Sequence, residues 1–113
     1  MADMIIDPIY SLYKDQPIYR DLLKDFVECL DERLVLSSKA LEGQDWKDLS
    51  RLMHQLKGAA ATYGFPGLAA LAGIIELDSA TESIEEAKIR ASFQEVALTC
   101  KKIEAGMAQL LED

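Results

Sequence analysis

The chain has 113 residues, 50 % hydrophobic and 28 % charged, with six glycines and three prolines, so it reads as one globular domain over residues 1–113 and not as a disordered or multi-module chain. Twelve basic against twenty acidic residues leave a formal charge of −8. No Lys/Arg cluster is interleaved with aromatics, which argues against nucleic-acid binding. The start "MADMIIDPIY" has acids where a leader has bases, and no apolar run is long enough to cross a bilayer. A cytoplasmic protein without membrane association is expected.

Asp7-Pro8 is expected to open a short helix, Asp7 capping and Pro8 at the first helical position, ending near Asp15. Pro17 then starts a long amphipathic helix in which Tyr19, Leu23, Phe26, Leu30, Leu34 and Leu41 recur at helical spacing until Gly43 stops it. Asp45 caps the next helix, Asp48 faces its free N–H groups, and the helix runs to Gly64.

Gly64-Phe65-Pro66 is the break before a helix from Pro66 to about Ser79, with Leu68, Leu71, Ala72 and Ile75 on one face. Ser83-x-x-Glu86 reads as a capping box for the last helix. There Ile89, Phe93, Val96, Cys100, Ile103, Met107 and Leu110 alternate by four and three, the seam of a helix aligned with its neighbours. No segment sustains strand alternation. The expected fold is all-α, an antiparallel up-and-down four-helix bundle with a short extra N-terminal helix. The last seam is expected to be spent on the core, leaving a monomer. Cys29 and Cys100 have no CxxC spacing and sit in apolar patterns, so both are expected as buried thiols, and a single histidine argues against zinc.

That histidine, His54, lies in "MHQLKGAAATYG". At about 100° per residue, Leu49, Leu52, Leu56, Ala59 and Tyr63 fall within roughly 40° of the direction opposite His54, which marks them as the core stripe. His54 then faces solvent, with Lys47, Ser50, Arg51, Lys57, Gly58 and Ala61 around it. A surface histidine is ordinarily only a surface residue. Its neighbours argue for more: Gly58 is an exposed mid-helix glycine, a cost of about 0.5 to 1 kcal/mol relative to Ala that the core does not require. With the small Ala61 it leaves low ground for a partner to approach, and Lys57 supplies a positive charge on the same face.

If the helices on either side of Phe65 form a hairpin, His54 and Glu76 stand at equal height, eleven residues before and after the turn. Glu76 then either accepts the Nδ1 proton, fixing the tautomer and freeing Nε2 as a nucleophile, or is a solvated residue at the edge of its stripe.

"HQLKGAAATYG" resembles the His-x-x-Lys-Gly signature of histidine phosphotransfer domains at His54, Lys57, Gly58 and the helix-ending Gly64. The resemblance extends through "GFPGLAALAGIIE" and looks most like the N-terminal phosphotransfer domain of chemotaxis histidine kinases, where a glutamate at the position of Glu76 contacts the histidine. Met53 departs from the Ala common before the histidine. ATP-binding and coupling domains are not found in these residues, so a stand-alone carrier without kinase activity is the closer match.

The resemblance implies reversible phosphoryl transfer between His54 and an aspartate of a response-regulator receiver domain, with a histidine kinase as a further partner. Lys57 would stabilise the phosphate and Glu76 orient the ring. Gly58, Ala61, Ser50, Arg51 and Lys47 would form the docking surface. No cofactor of its own is implied; Mg²⁺ is expected on the receiver. The competing class is a non-catalytic interaction module, whose receiver binding would survive replacement of His54.

Overall fold

The computed structural model describes residues 7–112; residues 1–6 and 113 lie outside them. Five helical segments follow in order: α1 (Arg20–Glu28), α2 (Leu30–Glu42), α3 (Trp46–Thr62), α4 (Pro66–Asp78) and α5 (Glu86–Glu112), with a 3₁₀ turn at Pro17–Tyr19 leading into α1. There is no strand among the described residues. The α1–α2 pair makes one bent rod, and with α3, α4 and α5 it forms the four-helix bundle.

Short connections hold neighbouring helices antiparallel. Between α3 and α4 the Phe65 N–H donates to the Ala60 carbonyl (2.8 Å) and the Gly64 N–H to Ala61 (3.3 Å), a Schellman stop with Gly64 at φ +85°. Between α2 and α3 the same pair of bonds runs from Asp45 to Ala40 and from Gln44 to Leu41. Gln44, not the expected Gly43, takes the left-handed position there, at φ 56°. Asp45 then caps α3 by accepting from the Asp48 N–H at 3.1 Å.

Several expectations need correction. Residues 7–11 are not helical, and 12–15 form only a turn. The Asp7-Pro8 segment is instead a strap. The Ile9 N–H donates to the Lys102 carbonyl (2.9 Å) and the Leu12 N–H to Gly64 (2.9 Å), while Ser11 Oγ donates to the Tyr63 carbonyl (2.7 Å). Tertiary partners at both ends outcompete a cap whose helix would be too short to stand alone.

The expected Pro17–Gly43 helix is interrupted at Cys29, where the chain bends from α1 into α2. Tyr19 is consequently exposed and Leu34 only half-buried, while Leu23, Phe26, Leu30 and Leu41 are core. Cys29 at the bend is exposed; Cys100 is buried as expected. Ser83 is not a cap: its carbonyl accepts from Thr81 Oγ1, and α5 starts at Glu86, which binds Gln44 and Arg90 instead.

In α3 the buried residues are Leu49, Met53, Leu56 and Ala60, while Leu52, Ala59 and Tyr63 are half-buried. The core stripe is rotated one residue toward Met53, because α4 covers that flank of α3. From α4 the core receives Leu68, Ala72 and Ile75, with Leu71 half-buried, and from α5 Ile89, Val96, Cys100, Ile103 and Met107, with Phe93 and Leu110 at its edge. Each large aliphatic fully buried here contributes about 1.5–3 kcal/mol. At the hairpin end Phe26 stacks on Tyr63 and Phe65, centroids 5.0 and 5.7 Å apart. None of the helices among the described residues is long and apolar enough to cross a membrane.

Candidate functional site

The tight α3–α4 turn sets the two helices in register, and Ser50 Oγ locks that register by donating to the Glu76 carbonyl at 2.9 Å. His54, halfway along α3, points to solvent with its side chain 68 % exposed. Glu76 lies across from it on α4, only 20 % exposed. The His54 Nδ1 to Glu76 Oε2 distance is 2.8 Å, so the two open readings of Glu76 resolve in favour of contact. An ionised carboxylate can only accept, so Nδ1 carries the proton and the Nε2 lone pair faces outward.

The second oxygen, Oε1, stands 2.7 Å from the Lys57 ammonium. Lys57 is the main reason the Glu76 carboxyl is held below the ordinary carboxylate range; the His54 hydrogen bond adds to it, and desolvation opposes both. The carboxylate therefore stays ionised at neutral pH and works as a bridge between ammonium and imidazole. Gly58 and Ala61, one and two turns beyond His54, are exposed. A β-carbon added at Gly58 would meet nothing within 4 Å among the described residues, so no contact with them explains its missing side chain.

Toward the other end of α3, Lys47 is exposed and Arg51 is paired through Nε with Asp48 at 3.0 Å. Here a groove of about 540 Å³ runs beside the imidazole, between Trp46, Ser50 and Arg51 on α3 and Glu76, Ala80 and Ile84 across from them. Among the described residues, no group of three or more His, Cys, Asp or Glu side chains is placed to hold a metal ion.

All eight residues singled out from sequence thus lie on or beside one face, with His54 and Lys57 converging on Glu76. Sequence reasoning passed over Gly73, one turn before Glu76, where an added β-carbon would stand 3.2 Å from Lys57 Cδ. The signal was available: Gly73 is a second mid-helix glycine without a turn to explain it.

A family model, described as the Hpt domain, matches residues 21–113. The chain belongs to the Hpt family. Curated proteins and solved structures yield no significant match. Hpt domains serve histidine phosphotransfer in phosphorelays, where they interact with receiver domains and kinases. The Hpt match begins within α1, so the strap over residues 9–12 lies outside it, whereas His54, Lys57, Glu76 and Gly73 lie inside.

Proposed function

We propose that this chain is a phosphoryl carrier that accepts a phosphoryl group on His54 Nε2 from the aspartate of a receiver domain and returns it. The observation that carries this reading is the 2.8 Å bond from His54 Nδ1 to Glu76 on an otherwise solvent-facing imidazole. In the forward step the Nε2 lone pair attacks phosphorus, the N–P bond forms, and the aspartyl P–O bond breaks to release the carboxylate. The ring gains a positive charge, its Nδ1–H stays on Glu76, and no proton has to move. Transfer of this kind needs in-line positioning more than protein acid–base groups.

Lys57 neutralises the incoming phosphate, and Gly58 and Ala61 let the receiver's rim close over the ring. Ser50, Arg51 and Lys47 border the docking surface. The Mg²⁺ that transfer requires is supplied by the receiver, and a histidine kinase loads the relay upstream. The carrier acts in the cytoplasm and as a monomer, the latter supported by an α5 seam in which Ile89, Val96, Cys100, Ile103 and Met107 are already buried. The test is incubation with phosphorylated receivers. Wild type should acquire acid-labile, base-stable label and His54→Gln none. A wild type that no receiver labels, or label surviving His54→Gln, overturns the proposal.

A further inference from the structure

Lys57 belongs to α3 and its partner Glu76 to α4, so the lysine stem has to pass along the α4 surface to bring its ammonium to Oε1. It passes at Gly73. A β-carbon there would stand 3.2 Å from Lys57 Cδ, closer than the 3.4–4 Å of ordinary van der Waals contact. Nothing else calls for glycine at this position. Gly73 lies within α4, away from both ends, and among the described glycines only Gly64 has positive φ. Alanine would suit the helix better.

The bond that this space permits matters locally. Glu76 Oε1 is shielded from solvent, and among the described residues the Lys57 ammonium at 2.7 Å is the group placed to answer the charge on that oxygen. Gly73 and Glu76 are three residues apart and share one helix face, so the glycine marks where the lysine crosses and the glutamate where it arrives.

We propose that Gly73 is a positioning residue for the histidine site: the space over it is the path by which Lys57 reaches Glu76, and filling that space detaches the lysine from the carboxylate. Lys57 then has two stations. In the resting protein it sits on Oε1, on the Nδ1 side of the imidazole. Once a phosphoryl group occupies Nε2 it moves outward to that group. Only the second station rests on the function proposed above; the first stands on the resting geometry alone.

The test reads the carboxylate directly, by ¹³C NMR titration of the Glu76 side chain in the full chain, with the His54 Nδ1 shift as a second signal. The series is wild type, Gly73→Ala, Gly73→Val, Lys57→Met and the Gly73→Val/Lys57→Met pair. The Glu76 midpoint should rise slightly in Gly73→Ala and over most of the Lys57→Met shift in Gly73→Val. The double variant should match Lys57→Met, because the glycine acts only through the lysine. A folded Gly73→Val with the wild-type midpoint, or a double variant well above Lys57→Met, overturns the proposal. If Gly73→Val does not fold, Gly73→Ala decides: an unchanged midpoint overturns, a raised one supports. No receiver is needed, so failure here is distinct from failure to label His54.

Discussion

Gly58 is the position where stability and transfer are expected to move in opposite directions. Because an added β-carbon meets nothing within 4 Å, Gly58→Ala gains helix propensity at no steric cost. That gain is about 0.5–1 kcal/mol. With an unfolding entropy of about 2.1 cal/mol/K per residue, a chain of this length has about 0.24 kcal/mol/K in total, which puts the rise in melting midpoint at about 2–4 °C. Gly58→Leu should keep most of that rise, since leucine is nearly as good a helix former. Its side chain, however, stands one turn from His54 on the face the receiver has to cover. A displacement on the order of 1 Å at the reacting atoms costs about 100-fold in rate, so Leu should slow transfer by about 10- to 100-fold and Ala by less. Calorimetry and single-turnover transfer from a labelled receiver read the two effects separately. A midpoint that falls on Gly58→Ala would mean the glycine serves an intramolecular need, and an unchanged rate in Gly58→Leu would refute close approach.

Three further outcomes follow from the same geometry. The Glu76 carboxyl is held below its ordinary value of 4.5, so its pairing stabilises the fold fully above that value and the benefit is lost as pH falls through the lowered one. The melting difference between wild type and Glu76→Gln should therefore persist from neutral pH to about 5 and close only in stronger acid; a gap that closes near pH 6 contradicts the assignment. Exposed Cys29 should react quickly with a disulfide reagent and Cys100, buried and with its thiol pushed up to about 12, only at the rate of opening; two equally fast thiols would refute the packing of α5. Gly106→Ala would drive a methyl group into the Ile9 carbonyl. Overpacking of this kind costs about 1–3 kcal/mol, readable in urea melts, and because the strap is remote from His54 the transfer rate should not change.

What was legible from sequence divides by the range of the forces involved. The α3–α4 hairpin and the equal height of His54 and Glu76 follow from counting residues about Phe65, since helix rise and a tight turn leave little freedom; whether the two side chains touch did not follow from the count. The helical seam of α5 was equally plain. Elements decided by distant partners were not: Asp7-Pro8 carries a good local helix start, yet the segment that follows is held by Lys102 and Gly64 through the Ile9 and Leu12 backbone and by Tyr63 through the Ser11 side chain, all far away in sequence. Cys29 lies in an unbroken apolar rhythm, and nothing in that local pattern marks the break between α1 and α2. The face arithmetic placed His54 in solvent correctly but put the core on Leu52 and Ala59 instead of Met53 and Ala60, because it does not know that α4 covers one flank of α3 more than α2 covers the other. Within the site, Lys57 was read as a free cation on the histidine's face; its anchorage on Glu76 and the passage over Gly73 depend on side-chain paths that spacing alone does not give.

The groove beside His54 has one more consequence. Trp46, the chain's single tryptophan, forms part of its wall and is half-buried there. Indole emission from this protein therefore comes from one position, on the same surface as the reactive imidazole, with no second fluorophore of its kind to dilute it. A receiver that covers the groove would dehydrate that ring and shift its emission to the blue. The chain thus holds an intrinsic optical probe of docking, and partner affinity can be titrated on unlabelled protein.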